Sequence, residues 1–359
     1  MTLQQPQVGD LQLRIIQANE QHAEQVTSLL VNAAEWMESQ GIEQWKKEMF
    51  TPELIHSYFA EREVFLLYVD DRPAAMFTLQ SGDPDYWQHL DDDRYLYLHR
   101  LTVHQDFRSL GLGAILIQWA TNYALTSGKK GLRLDCMAHL PTLNRFYQSQ
   151  DFRYMGTHDV KGRLASLYEK LPPAEDHQIR LEYFLEKDFD QLLEWSGDAK
   201  FLQQWSGIGW EYPLDTSDLE AHIEGANHPM FSDQLIYIVV DRITNHKVGH
   251  VALSRIDRTN RSARISKLLV GDPEARGKGY GRQILNELLR IGFDTLGMHR
   301  ITLGVYDYNV SAIKLYESCG FSKEGLMRDS SWLDGQYYSV YEMSILEDEW
   351  RALQSRSTL

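Results

Sequence analysis

Along this chain the apolar residues switch between a two-residue and a three-to-four-residue period, and the switches come in the same order twice. In the C-terminal half, Leu235 to Val240 is a continuous apolar run, and Lys247 to Leu253, Ala263 to Val270 and Ile301 to Val305 are β-branched or alternating, which predicts four strands. Ile284, Leu285, Leu288, Leu289 and Phe293 instead fall on one helical face between the third and fourth of them. In the N-terminal half, Glu63 to Val69, Ala74 to Leu79, Tyr95 to Val103 and Leu132 to Cys136 predict strands, with Leu116, Trp119, Ala120, Tyr123 and Ala124 marking a helix. Helical pattern also precedes the strands, around Ala23 to Met37 and Phe189 to Trp195. Each half is therefore expected to be α/β, with mixed (α+β) rather than purely alternating order.

Between strand and helix, both halves carry the same short pattern: Arg108-Ser109-Leu110-Gly111-Leu112-Gly113 and Arg276-Gly277-Lys278-Gly279-Tyr280-Gly281. Each reads Arg-x-x-Gly-x-Gly, in the context where bare backbone N–H groups hold a phosphate. The two arginines stand 168 positions apart, Tyr147 and Tyr316 169, Phe152 and Phe321 169, and Arg14 and Arg180 166. Solenoid and propeller repeats have periods of about 20 to 50 residues, so this one marks a duplicated domain. Leu171-Pro172-Pro173-Ala174-Glu175-Asp176 is the natural joint, because consecutive prolines oppose helix and sheet alike. The expected domains are 1–172 and 173–359.

Composition narrows the function classes. A formal charge of −15 opposes nonspecific binding to nucleic acid or anionic membrane, which rests on Lys and Arg neutralising phosphates. The two cysteines, Cys136 and Cys319, lie in different halves, so neither a disulfide framework nor a paired-cysteine metal site is expected, and they read as small buried apolar groups. Met1 to Asp10 has neither a basic region nor an apolar core, and no apolar run approaches the ~20 residues of a membrane helix, so a cytoplasmic location is expected. The glycine turns are neither Walker loops nor dinucleotide fingerprints, since a third glycine would be needed at position 282, where Arg282 stands.

With Asn309, Ala312, Leu315-Tyr316 and Gly320-Phe321 following the second glycine turn, the C-terminal half, from about Ile179 to Trp350, resembles the GNAT superfamily of N-acetyltransferases, near the branch of the spermidine and ribosomal-protein alanine enzymes. The N-terminal half is similar through Leu98-His99-Arg100-Leu101-Thr102-Val103, its glycine turn, Leu134-Asp135-Cys136 and Phe146-Tyr147. It departs where Leu140 replaces the usual Asn and Asp151 replaces the glycine before Phe152, which touches cofactor binding rather than fold.

The resemblance implies two tandem domains, each a central mixed, largely antiparallel sheet flanked by helices, with acetyl-CoA as cofactor. The diphosphate would lie on the helix start, cradled by Arg276, Gly277, Lys278, Gly279, Tyr280 and Gly281, and by Arg108, Ser109, Leu110, Gly111, Leu112 and Gly113. A splayed or bulged strand before each turn, at Leu269, Val270 and Gly271 and at Leu101 to Val103, would pair with pantetheine, and Asn309 would add a side-chain contact. Tyr316 stands where relatives place a general acid, with Tyr147 as its counterpart.

His99, Glu211 and Asp241 are candidate bases, with direct attack by neutral amine an equal alternative. Trp195, Trp205 and Trp210 stand where relatives shape an acceptor pocket, although core packing is their default. The acidic stretch from Asp83 to Asp93 reads first as a solvated loop and second as a polycation recruiter. The expected activity is acetylation of a primary amine on a small cationic acceptor (polyamine, amino sugar or aminoglycoside), catalysed by the second domain without a metal. The alternatives are acetylation of a protein N-terminus, or one domain serving as a non-catalytic acyl-CoA-binding or structural partner. A homodimer is compatible with either.

Overall fold

The computed structural model describes residues 7–8, 11–170, 178–333 and 335–357. The expected joint at 171–176 and most of the N-terminal stretch Met1 to Asp10 lie outside the described residues. The chain divides into two units, Met1–Met137 with His158–Pro172, and Ala138–Thr157 with Pro173–Leu359.

The first unit runs β1 (Gln7–Val8), β2 (Leu11–Gln17), α1 (Ala23–Ser39), α2 (Pro52–Glu61), β3 (Glu63–Val69), β4 (Arg72–Gln80), α3 (Pro84–Trp87), β5 (Tyr95–Val103), α4 (Leu112–Thr126) and β6 (Gly131–Met137). After α5 (Pro141–Ser149), β7 (Arg153–Val160) and β8 (Arg163–Lys170) complete an eight-stranded sheet ordered β1-β2-β3-β4-β5-β6-β8-β7. β5 and β6 are parallel, while β2 to β5 pair antiparallel in sequence. From Val64 to Val69 every residue of β3 is buried, as a strand covered on both faces requires. Pro52 opens α2 at the position where its missing N–H costs nothing, and the Thr51 hydroxyl accepts from Leu54 N at 3.3 Å.

The second unit runs β9 (Ile179–Tyr183), α6 (Phe189–Glu194), α7 (Ala199–Ser206), α8 (Thr216–Ile223), β10 (Leu235–Asp241), β11 (Lys247–Asp257), β12 (Ser262–Val270), α9 (Tyr280–Arg290), β13 (Arg300–Tyr306), α10 (Val310–Ser318), β14 (Ser322–Leu333), β15 (Gln336–Leu346) and α11 (Glu347–Ser357). Its seven strands are ordered β14-β15-β13-β12-β11-β10-β9, with β12–β13 the parallel pair. Ile284, Leu285, Leu288 and Leu289 of α9 are buried against this sheet together with Ile265, Ile301 and Leu303. Gly320 ends α10 in the left-handed region at φ 97, where an added Cβ would lie 2.5 Å from Leu353 Cδ1.

Helix α5 joins the second unit although it precedes the expected joint. Its Arg145 is buried, donating to the Tyr183 carbonyl at 2.9 Å, to Glu182 at 3.2 Å and to both Asp188 oxygens, and Gln148 accepts from Tyr183 N at 2.8 Å. A buried guanidinium is tolerated only with such partners, and these carboxylates stand on or just after β9.

Candidate active site

β12 and β13 pair only over Ser262–Arg264 and Arg300–Thr302, and beyond that they part. β5 and β6 do the same beyond Leu98 and Leu134. Each split is helped by a bulge on the antiparallel side, where the register slips between His250 and Ala252 in the second unit and between Met76 and Thr78 in the first. The extra residue is accommodated near Lys267 and Arg100, both in the left-handed region at φ 51 and 56. The distortion thus begins upstream of Leu269 to Gly271 and of Leu101 to Val103, the strand ends that the resemblance implied.

Between the parted strands of the second unit lies a cavity of about 410 Å³. Ile265 to Val270 of β12 form one wall and Leu303 to Val305 of β13 the other, with Phe201, Gln204, Trp205, Arg276, Asn309, Ser311, Ala312, Leu315 and Tyr316 closing it. Of the expected site residues, Leu269, Val270, Arg276, Asn309 and Tyr316 meet at this one cavity.

The glycine turn follows directly. Gly277 and Gly279 are left-handed (φ 77 and 83), with no atom within 4 Å of where a Cβ would stand, so their backbone is open to a ligand. Gly279 caps α9, whose first N–H groups have no intrahelical partner. A Cβ on Gly281 would lie 3.0 Å from Leu315 Cδ2, so this glycine lets α10 approach the helix start. Arg276 folds back, its Nε donating to Val270 O at 3.1 Å and its Nη2 to Gly271 O at 3.3 Å, which ties turn to strand. Tyr280 donates its hydroxyl to Asp241. Asp241 also accepts from Ile243 N, Thr244 N and Thr244 Oγ1 at 2.7 to 2.9 Å. Burial pushes the Asp241 carboxyl up, but these hydrogen bonds outweigh it and hold the pKa below the ordinary carboxylate value. A carboxylate so engaged is an anchor for the turn and a poor base.

Tyr316, on α10, is 9% exposed, lines the cavity and packs edge-on against Phe321 at 6.1 Å. Burial pushes its pKa up to about 12, so its hydroxyl keeps its proton at neutral pH. Asn309 spends its side-chain oxygen capping α10, accepting from Ala312 N at 3.3 Å. Leu140 holds the corresponding place before α5 and makes no such cap. Of the three tryptophans, Trp205 lines the cavity and Trp210 meets it edge-on at 5.6 Å. Trp195 instead packs where a Cβ on Gly271 would stand. Glu211 is exposed and is not part of the lining.

In the first unit Gly111 caps α4 in the same left-handed conformation (φ 67), again open where a Cβ would stand, with Gly113 inside the first turn. Arg108 lies 3.3 Å from the centre of the Trp36 ring, and burial pushes its pKa down. Tyr147 sits on α5 and belongs to the other unit from Gly111 and Gly113. By the strand registers, His99 occupies the position of Ser266 and Asp135 that of Gly304. His99 Nε2 lies 3.3 Å from Asp83 and its Nδ1 3.6 Å from Asp135, all largely buried, so carboxylates face both ring nitrogens. Burial pushes the Asp135 carboxyl up, an effect partly offset by His99. Asp83, expected in a solvated loop, is therefore part of this buried trio, and Trp87 beside it is fully buried. Sequence reasoning singled out His99 but not its partners, because residues 83, 99 and 135 share no local spacing.

The sequence profile described as the acetyltransferase (GNAT) family matches residues 30–152 and 190–321, well over half of the chain. The chain belongs to the GNAT acetyltransferase family. It is thus an acyltransferase of tandem GNAT regions, and with the family goes acetyl-CoA as acyl donor. It is 34% identical over 160 residues to the uncharacterized N-acetyltransferase YesJ of Bacillus subtilis, covering 43% of this chain and 87% of that protein. It is 35% identical over 112 residues to the spermidine N(1)-acetyltransferase of Vibrio cholerae, covering 31% and 64%. A crystal structure of the Vibrio cholerae spermidine N-acetyltransferase in complex with CoA and spermine matches with a TM-score of 0.43 and 26% identity, over 48% of this chain and 98% of that one. Among the described residues of this GNAT protein, no helix is long and apolar enough to cross a membrane. Cys136 and Cys319 are free and buried.

Proposed function

We propose that the second unit transfers an acetyl group from acetyl-CoA to a primary amine bound in the cavity between β12 and β13. What carries the reading is that Tyr316, Asn309, Arg276 and the ends of the parted strands line one cavity next to an open glycine turn. When bound, acetyl-CoA supplies the acetyl group as a thioester. The amine nitrogen gains the acyl carbon and sheds a proton, the carbon–sulfur bond breaks, and the sulfur leaves with a proton as the free thiol. The turn from Arg276 to Gly281 offers N–H groups and the positive end of α9 to the diphosphate. Backbone groups of Leu269 to Gly271 and the Asn309 amide hold the pantetheine arm. Tyr316, neutral at its hydroxyl, gives the leaving group its proton in this reading.

The residues lining the cavity include no carboxylate and no histidine, which favours attack by the neutral fraction of the amine with water taking the proton. For the acceptor, the chain charge of −15 favours a small cationic amine, because it concentrates cations around the molecule. The names of the spermidine N(1)-acetyltransferase relatives point the same way.

A second reading concerns the first unit. His99 and Asp135 occupy positions that the second unit keeps small with Ser266 and Gly304. These features favour a structural or acyl-CoA-binding partner over a second turnover site.

The test is release of free thiol from acetyl-CoA by the full chain across a panel of amines. Amine-dependent release is expected; release no faster than without amine would refute the reading.

A further inference from the structure

The backbone makes Lys267 unusual. It sits in the left-handed region at φ 51, at the bulge where β12 turns away from β13, and its equivalent in the first unit is Arg100 at φ 56. Glycine enters that region without penalty, whereas a residue with a long side chain is disfavoured there. Both units nonetheless place a long cationic side chain there. Both also lay it on an aromatic face from a connection between two helices, α1 and α2 in the first unit and α7 and α8 in the second. Lys267 Nζ lies 4.5 Å from the centre of the Trp210 ring, and the Arg100 guanidinium 5.3 Å from that of Trp45. Trp45 and Trp210 stand 165 positions apart, in step with the other repeated landmarks.

In the second unit Lys267 is one of the residues lining the cavity, and no carboxylate answers its charge. Among the described residues no carboxylate forms an ion pair with Lys267, and none of the lining residues is acidic. Glu342, on β15 beyond β13, is already held by both terminal nitrogens of Arg264, whose Nη2 stands 2.5 Å from where a Cβ on Gly304 would be. Burial pushes the Lys267 pKa down, the sign of an ammonium whose lost hydration has not been replaced. A ring face offsets part of such a cost, and an anion would offset more. The backbone at this residue is fixed independently: buried His250 donates from Nδ1 to the Lys267 carbonyl at 3.1 Å. Lys267 stands three residues before the end of β12 at Val270, roughly 10 Å up the strand from the side where the glycine turn follows.

We propose that Lys267 binds a carboxylate on the acceptor, so that the second unit acetylates an amine of a diamino acid or a similar amine-bearing carboxylate rather than a plain polyamine. This rests on the acetyl-transfer reading above and deepens it. An acceptor with two ammonium groups and one carboxylate is still drawn in by the negative chain, and its anionic end is what the cavity wall lacks.

The test compares matched acceptors with the full-length protein and acetyl-CoA: lysine against cadaverine, and ornithine against putrescine, each pair differing only in the carboxylate. The expected kcat/KM is at least tenfold higher for the amino acid of one pair. Lys267→Met is expected to bring that ratio within threefold of one, and Lys267→Arg to retain it. Lys267→Gly removes the cation while relieving the left-handed backbone, so its ratio reads the charge without strain, and it is expected to follow the Met variant. Acetyl-CoA affinity is expected to stay within twofold in all three. A preference of the wild type for the diamines, an unchanged ratio in both Lys267→Met and Lys267→Gly, or a loss of acetyl-CoA affinity in place of acceptor preference would overturn the proposal while leaving acetyl transfer intact. No thiol release with any amine would instead remove the reading beneath it, and the proposal with it.

Discussion

The hydroxyl of Tyr280 donates to the carboxylate of Asp241, joining the first residue of α9 to the last residue of β10. That bond fixes the glycine turn from its far side, while Arg276 fixes it from the strand side. Asp241 pushes the Tyr280 pKa up to about 12, so the donor keeps its proton across the neutral range. Tyr280→Phe is expected to cost about 1.5 to 3 kcal/mol of stability, as loss of a hydrogen bond to a charged group does. Acetyl-CoA affinity should weaken several-fold with it, because the turn loses one of its two anchors. Chemical denaturation and calorimetric titration measure the two effects; wild-type values in both would mean that the anchor is idle.

Tyr316→Phe tests the proton donor. Removing one hydroxyl from the cavity wall is expected to lower kcat at least tenfold, in keeping with the usual size of general acid catalysis, while the Kd for acetyl-CoA stays near wild type. With the pKa near 12, no alkaline loss of kcat from this group is expected below about pH 10. An unchanged kcat in the variant would remove Tyr316 from the mechanism.

Gly271 closes the end of β12 against a tryptophan. An added Cβ would stand 2.1 Å from Trp195 Cδ2, so Gly271→Ala forces the indole aside and is expected to cost about 1 to 3 kcal/mol. Thermal denaturation measures this, and a midpoint equal to wild type would show that the indole moves freely.

His250 and His222 give the second unit an acid-sensitive core. Burial pushes the His250 pKa down to about 4 and that of His222 to about 2, and their rings lie 5.6 Å apart. A histidine held neutral contributes its full stability above its unfolded value of about 6.5. It loses that contribution as pH falls toward the folded value, because the unfolded chain takes up the proton first. His250→Asn keeps a donor for the Lys267 carbonyl and removes one titrating group. The slope of stability against pH between 6.5 and 4.5 is expected to fall by about one proton. An unchanged slope would mean that His250 titrates normally.

What the sequence revealed depended on whether the signal was local. Glu63–Val69 and Tyr95–Val103 were legible to the residue, because runs of β-branched and aromatic side chains filled them. Arg276 to Gly281 and Asn309 to Tyr316 were legible as two short patterns, and the meeting of Arg276 with Asn309 and Tyr316 at one cavity follows from the parted strands. The hairpin β14–β15 was not legible: from Ser322 to Ser330 β14 is exposed and largely polar, without an apolar alternation to read. Nor was the place of α5, which is set by the burial of Arg145 against Glu182 and Asp188, 37 and 43 residues away. The bulge residues Arg100 and Lys267 escaped for the opposite reason, since a cation within a strand pattern looks like an ordinary solvent-facing position until its φ is known.

The central claim is that the open glycine turn of the second unit carries the acetyl donor. Calorimetric titration of the full chain with acetyl-CoA, wild type against Gly279→Asp, tests it most directly. The substitution brings bulk, a left-handed conformation that disfavours a side chain, and a negative charge facing a diphosphate. The expected result is the loss of one binding event from the isotherm, with thiol release abolished and the fold retained by circular dichroism. A folded Gly279→Asp protein that binds acetyl-CoA with wild-type stoichiometry and affinity would contradict the account.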